Sequence, residues 1–516
     1  MRAQRMDHPP AGSPVAAGQC DTIPHVTVAV IGAGFAGLAM AIRLAQEGTD
    51  DFVVLERGED VGGVWRDNTY PGCACDVPST LYSFSFAPNP DWTSSFSPQQ
   101  EIFRYLRDCA RRFGLADRLR LGHEVLEARW DDGAGHWSIR TSRGRYTATV
   151  LVSAAGQLSE PALPPVPGIE RFTGAAFHSA HWDHSHDLTD SRVAVVGTGA
   201  STVQLVPAIA DQVRALHVFQ RTPAWVLPQQ NRSRRAVERR ALRALPALQR
   251  AVRTALYWGR ECSLIGFTRP RVMRAVSLLA RLHLRRQVPE RPLRAALEPS
   301  YAMGCKRVLR SSTFYPTLRR EHVELVAGAV REVRERSVVA ADGTERCVDT
   351  IIFGTGFQVA DMPMARRVRG RGGRLLADEW RADGAQAYLG TAVAGFPNLF
   401  LLTGPNGALA HNSVLLGIEA QVRYVLDALR VMRAQHLAAV EVCPQVQDAF
   451  VREIRAGTAG TVWTSPGCRS WFLDHAGRNT TIWPWFTTRF RWLTRRFDVE
   501  NYLLRPRRAA AVPASA

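Results

Sequence analysis

The chain has 516 residues, long enough for two or three domains with buried cores, and its 46% hydrophobic and 22% charged residues describe a globular protein, not a disordered or fibrous one. Its net charge of +18 would suit nucleic acid or an anionic membrane, but the basic residues are spread along the chain without a nucleic-acid-binding motif and all but one are arginine, so no nucleic acid is expected as partner. Nine cysteines include no C-x-x-C pair, and Cys73-x-Cys75 is too tight for a zinc site, so reduced thiols in a cytoplasm and no metal are expected.

Residues 1–22 are polar and rich in Pro, Ala and Gly, lack the apolar core of a signal peptide, and read as a disordered tail. The longest apolar run, Val26 to Leu44, is broken by Gly32, Gly34 and Gly37, which predicts strand, turn and helix, and no integral membrane span is expected. Val26 to Ile31 is the strand, Gly32-Ala-Gly34-Phe-Ala-Gly37 the turn and Leu38 to Gln46 the helix. Glu56 closes a second strand from Phe52, about 20 residues beyond Gly37. A lone G-x-G-x-x-G is weak. With strand, helix and acid in register it predicts a dinucleotide site, the backbone approaching pyrophosphate at the helix N-terminus and Glu56 accepting from ribose hydroxyls.

A loop rich in glycine and proline follows, Gly62-Gly63-Val-Trp65 and then Tyr70-Pro71-Gly72-Cys-Ala-Cys-Asp76, with Tyr82 just beyond. Gln99 to Phe113 predicts a helix, and turns at Asp131 to Gly135 and Ser142 to Gly144 separate strands that end in Val150 to Gly156. Pro161 to Gly168 is a stiff linker into Phe172-Thr-Gly174-Ala-Ala-Phe177-His178-Ser-Ala-His181-Trp182-Asp183. A second dinucleotide turn is predicted at Gly197-Thr-Gly199-Ala-Ser201-Thr202, where Thr202 replaces the third glycine and implies looser helix–strand packing. Arg221 and Thr222 stand where the first module carries its acid, and arginine there suits the 2′-phosphate of NADPH. The only lysine in the chain, Lys306, supplies a second cation.

Residues 231–300 read as arginine-rich helices, with Leu245, Leu248, Val252 and Leu256 at helical spacing and Arg243, Arg250 and Arg253 between them. Such a segment packs over an active-site mouth or makes weak peripheral contact with a membrane, and the first is favoured. Cys305-Lys306-Arg307 follows, then a strand from Asp349 into Gly354-Thr355-Gly356-Phe357. His411-Asn412-Ser413 precedes a helix from Leu415 to Arg430, with His411 a substrate-side donor or a hydrogen-bonding residue at the helix start. Five tryptophans between Thr461 and Trp492 cap the core or line substrate access.

The pattern F-x-G-x-x-x-H-x-x-x-W-D of Phe172, Gly174, His178, Trp182 and Asp183 is similar to the fingerprint of the Baeyer–Villiger monooxygenases. G-G-x-W with Y-P-G and Asp76, C-K-R at Cys305 to Arg307, and G-T-G-F at Gly354, where the family has A-T-G-F, extend the resemblance over roughly residues 26 to 500. It implies an α/β fold of two Rossmann-like dinucleotide-binding domains, for FAD and NADPH, with an inserted helical subdomain. On that basis 23–160 is the first part of the FAD domain, 161–230 the first part of the NADPH domain, 231–300 the insert, 301–345 the second part of the NADPH domain and 346–516 the second part of the FAD domain. It further implies that Trp65 and Tyr82 line FAD, that Asp76 lies near the flavin and pairs with Arg307, and that Arg307 is the catalytic cation. The fingerprint would act as a linker governing the angle between domains, though His178 taken alone is as readily a packing residue. The implied reaction inserts one atom of O2 beside a ketone carbonyl, through a flavin C4a peroxide. Oxygenation of a thioether or amine, or an FAD/NADPH electron-transfer reductase, are the alternatives.

Overall fold

The computed structural model describes residues 23–507, so the expected tail at 1–22 lies outside the described residues. The first sheet contains β1 His25–Ile31, β2 Phe52–Leu55, β3 Leu119–Arg120, β4 Val125–Asp131, β5 His136–Thr141 and β6 Gly144–Ser153. Two late strands join it, β12 Val368–Arg369 beside β4 and β13 Leu399–Leu401 beside β6, in the order β12-β4-β5-β6-β1-β2-β3. β6, β1, β2 and β3 are parallel, and all four residues of β2 are buried, as a strand covered on both faces requires. β4, β5 and β6 run antiparallel, and β4 and β5 alternate buried and exposed residues. The turn between β4 and β5 closes on Asp131, whose carboxylate accepts from the Gly133 and Ala134 N–H groups at 2.9 Å.

The second sheet is wholly parallel: β7 Ala175–His178, β8 Arg192–Val196, β9 Ala215–Gln220, β10 Val323–Ala327 and β11 Thr350–Phe353, in the order β10-β9-β8-β11-β7. Because β11 pairs with β7 and β8, the chain returns to the first sheet after Phe353, later than the boundary expected at 346. The two crossings between sheets lie side by side. Gln358 N–H donates to the Glu160 carbonyl at 2.9 Å and Ala162 N–H to the Gly356 carbonyl at 2.8 Å.

Helix α1 Phe35–Gln46 follows the first glycine turn, α2 Gln99–Arg112 lies where it is expected, and α3 Ala200–Ile209 follows the second turn. The insert is four helices, α4 Ala236–Ala244, α5 Pro246–Thr268, α6 Pro270–Gln287 and α7 Arg291–Leu297. Proline opens α5 and α6, where its missing N–H costs nothing. The apolar residues at helical spacing do not form one buried stripe: Leu245 and Leu248 are exposed, and the buried side of α5 carries Gln249, Tyr257, Glu261 and Leu264. Leu245 lies in the joint between α4 and α5, so a periodicity drawn through it combines two helices. Leu264 and Met273 join Trp225, Met303, Val462, Trp463, Phe472 and Ile482 in one cluster that fastens the insert to the C-terminal segment. Of the five late tryptophans, Trp463 and Trp483 are fully buried core residues, whereas Trp492 is exposed. Helices α8 Val414–Ala434 and α9 Thr487–Leu493 complete the elements around the site.

Candidate active site

The first glycine turn joins β1 to α1. A Cβ added to Gly37 would stand 1.8 Å from the Gly32 carbonyl oxygen, so the protein's own packing requires that glycine. Gly34 is different. Its φ is −77°, and a Cβ there would meet nothing nearer than Gly63 Cα at 3.6 Å. The second turn repeats the contrast: Gly199 has φ −81°, and its Cβ would meet only the Gly354 oxygen at 3.8 Å, whereas one on Gly197 would lie 2.6 Å from that oxygen. Gly34 and Gly199 are also the N-caps of α1 and α3, without a side-chain cap and without an acid in the first helical turn. Each helix start therefore presents uncapped N–H donors beside space that the protein leaves open, the chemistry that an anionic pyrophosphate takes. Both turns fit a dinucleotide.

Glu56 is buried beside the first turn, its carboxylate accepting from Ala33 N–H at 2.7 Å, Gly58 N–H at 2.8 Å and Arg66 Nη1 at 2.8 Å. Gly63 opens the turn that brings Trp65 next to Tyr82, with Trp65 Nε1 donating to the Tyr82 hydroxyl at 3.0 Å. On the second module, Thr202 is fully buried, its Oγ1 has no hydrogen-bond partner among the described residues, and a Cβ on Gly354 would lie 2.2 Å from that oxygen. The looser packing expected from Thr202 is thus not observed: the neighbouring crossing gives up its side chain instead. Ser201 lies against Tyr70 of the Y-P-G loop, whose hydroxyl donates to Gln204 Oε1 at 3.0 Å, and Gln204 Nε2 donates to the Ala74 carbonyl at 2.9 Å, so this motif docks the first module on α3.

Arg221 is exposed at the end of β9, and Thr222 accepts from Thr198 Oγ1 at 2.9 Å. Lys306 Nζ lies 4.9 Å from the centre of the Tyr301 ring; burial and the charge of Arg221 hold its pKa below the ordinary lysine value. The two cations expected to share a phosphate are therefore close enough to repel.

Among the described residues, no hydrogen bond joins the fingerprint residues to Asp76 or Arg307. Phe172 packs beside Gly174, where a Cβ would strike the Asp349 oxygen, and Asp183 accepts from Ser185 N–H at 2.9 Å in a local turn. Trp182 stacks edge-on with Phe177 at 5.2 Å. His178 is buried, and Ala180 N–H donates to its Nδ1 at 3.1 Å. Burial, with the nearby His181, lowers its pKa to about 4, so the ring is neutral at working pH. His181 and Trp182 line a cleft of about 540 Å³ together with Arg57, Arg66 and Thr69.

Asp76 and Arg307, 231 positions apart, form a two-pronged ion pair: Arg307 Nε donates to Oδ2 at 2.8 Å and Nη2 to Oδ1 at 2.6 Å. Burial alone would raise the Asp76 pKa, but the charge and hydrogen bonds of Arg307 outweigh it and hold the carboxyl below its usual range; Asp76 in turn raises that of Arg307. Two residues of α5 that sequence did not single out complete the surroundings. Arg260 Nη2 donates to the Asp76 carbonyl at 3.0 Å. Glu261, 1% exposed, accepts from Asn412 Nδ2 at 3.0 Å and Thr488 N–H at 3.0 Å and hydrogen-bonds His411 Nε2 at 3.3 Å. Its own burial raises its pKa, yet His411 and these donors bring it down to about 2. Its signal was present in sequence, because Glu261 is the only carboxylate between Arg239 and Pro289. His411 is thus an internal tie, and the cap of α8 is Ser413, which accepts from Leu415 N–H.

A model of the family described as pyridine nucleotide-disulphide oxidoreductase matches residues 29–257. A Baeyer–Villiger monooxygenase of Streptomyces coelicolor is 49% identical over 486 residues, 93% of each chain. An oxidized steroid monooxygenase bound to NADP superposes with a TM-score of 0.84 at 30% identity, covering 94% of this chain and 100% of that one. OTEMO in complex with FAD and NADP gives 0.85 at 26% identity, with the same coverage.

Proposed function

This chain belongs to the Baeyer–Villiger monooxygenase family, and from that membership we propose that the ion pair of Asp76 and Arg307 marks the reaction centre of an FAD- and NADPH-dependent enzyme acting on a ketone. Bound FAD, reduced by NADPH, supplies the activation of O2 from which one oxygen atom enters beside the carbonyl, giving an ester or lactone. The remaining work is the protein's. Gly34 and the start of α1 would hold the FAD pyrophosphate and Glu56 its ribose, with Trp65 and Tyr82 lining the FAD; Gly199, Ser201 and the start of α3 would hold NADPH, with Arg221 and Lys306 on its 2′-phosphate. Arg307 cannot deprotonate under working conditions, so it offers a permanent positive charge to the oxyanion that develops on the substrate carbonyl. Asp76 holds the guanidinium fork in one orientation, and Arg260 fixes the Asp76 backbone. The fingerprint, whose Ala175–His178 forms the edge strand β7 of the second sheet, governs the approach of the two sheets, and Asp349 to Phe357 carries the chain back to the FAD domain. The need for NADPH suits a cytoplasmic enzyme.

The observation that carries this reading is the two-pronged pair formed by residues so distant in sequence. Rapid-mixing kinetics of Arg307→Ala with a panel of ketones and thioethers should show flavin reduction by NADPH retained and ester formation lost, with NADPH consumption diverted to hydrogen peroxide. Ester at near wild-type yield would remove Arg307 from catalysis, and oxidation of thioethers alone would move the assignment to heteroatom oxygenation.

A further inference from the structure

Helix α5 has two unlike faces. Its inner face reaches the reaction centre through Arg260 and packs Tyr257, Glu261 and Leu264 against the molecule. Its outer face follows the positions 248, 251, 255, 258, 262 and 265, a helical repeat of three and four occupied by Leu, Ala, Ala, Trp, Cys and Ile. On that face Leu248, Trp258 and Ile265 are exposed, Trp258 to 53%. Helix α6 packs against α5 across the single joint residue Arg269 and continues the apolar surface with Leu278 and Leu279, each 60% exposed, and Leu282. A stable soluble surface does not normally turn its apolar stripe outward on two adjoining helices.

The charge around this surface favours one kind of partner. From Arg239 to Pro289 there are twelve arginines and one carboxylate, Glu261, which is buried and committed to His411 and Asn412. Arg250, Arg271, Arg274, Arg285 and Arg286 are exposed on α5 and α6. A second copy of the chain seated on this face in a two-fold pair would bring two arginine-rich rims together. An apolar face ringed by cations instead complements an anionic lipid surface, apolar side chains entering the acyl boundary and arginines meeting the headgroups. No helix among the described residues is long and apolar enough to cross a membrane, so the contact lies along the surface.

We propose that the α5–α6 hairpin docks the enzyme on anionic lipid bilayers. Since the docked helix also touches the Asp76 backbone, membrane-dissolved, long-chain ketones are the substrates this placement favours, a corollary that rests on the ketone-oxidising reading above. The test is sedimentation of the FAD-loaded full-length enzyme with vesicles of phosphatidylcholine alone or mixed with phosphatidylglycerol. Wild type should sediment with the mixed vesicles and lose that binding in high salt. The variant carrying Trp258→Ser, Leu278→Ser and Leu279→Ser should lose at least tenfold in affinity while keeping its flavin and its turnover of a small water-soluble ketone. Arg271→Gln with Arg274→Gln should weaken binding without altering the apolar face. Failure of wild type to bind mixed vesicles, or equal binding by the serine variant, would overturn the proposal. So would a wild-type dimer that the serine variant converts to monomer, which assigns the face to a second copy. Vesicle binding with no turnover of any ketone would overturn the ketone reading and leave the docking standing.

Discussion

At the residue level, Thr202 and Gly354 form a matched pair that neither position explains alone. A glycine-turn helix normally approaches its strand through a third glycine; here that place holds a threonine, and the clearance is made by Gly354, where the resembling family has alanine. Gly354→Ala should place a methyl 2.2 Å from Thr202 Oγ1 and cost about 1–3 kcal/mol by overpacking. Thr202→Ala should be neutral or stabilising, since it removes a buried hydroxyl that has no hydrogen-bond partner among the described residues. The double variant should regain most of the loss, because the clash is with Oγ1, and the Thr202 Cβ stands 3.6 Å from the added methyl. Unfolding of all four proteins in one double-mutant cycle measures the coupling, and strictly additive effects would show that the two residues do not interact.

At the level of elements, the two modules differ at the end of their second strand: β2 runs into Glu56, and β9 into Arg221. With Lys306 near enough for Arg221 to lower its pKa, an anion between them relieves their repulsion, which a 2′-phosphate does and a 2′-hydroxyl does not. Losing one charge-assisted contact costs about 1.5–3 kcal/mol, so Arg221→Ala should raise the Michaelis constant for NADPH tenfold or more and leave that for NADH nearly unchanged. Equal loss with both coenzymes would give Arg221 a structural role. These turns were legible in sequence because strand, glycines, helix and following residue are local, and the Asp76–Arg307 pair was legible only through two motifs recognised together. The inward face of α5 was not. A period drawn through Leu245 spans a helix break, and the buried side is held by hydrogen bonds of Arg253, Arg260 and Glu261 to distant loops, which apolar periodicity does not register.

At the level of the whole molecule, the pieces are held together by ties that join distant parts of the chain. Glu261 of α5, His411 before α8 and Thr487 of α9 form one buried hydrogen-bonded group, and Cys305 is joined to Cys468 in a disulfide 163 residues apart. The disulfide corrects the expectation of reduced thiols, which rested on the absence of local cysteine pairs and could not register a pair made by folding. The remaining described cysteines are free, and burial pushes the Cys73 thiol up to about 11, which leaves it unreactive. Cys305 stands two residues before Arg307, so its bond to the C-terminal segment anchors the backbone that presents the cation to Asp76. Closing a loop of this length restricts the unfolded chain by about 5 kcal/mol in the entropic account. Cys468→Ser should therefore lower the unfolding midpoint by several degrees and divert part of the NADPH consumed from ester to hydrogen peroxide. Cys262→Ser and Cys347→Ser, at exposed free thiols, should do neither. Peptide mapping without reductant should recover Cys305 linked to Cys468. If Cys468→Ser retains both midpoint and coupling, the anchor on Arg307 is the Asp76 fork alone, and the disulfide has no part in positioning it.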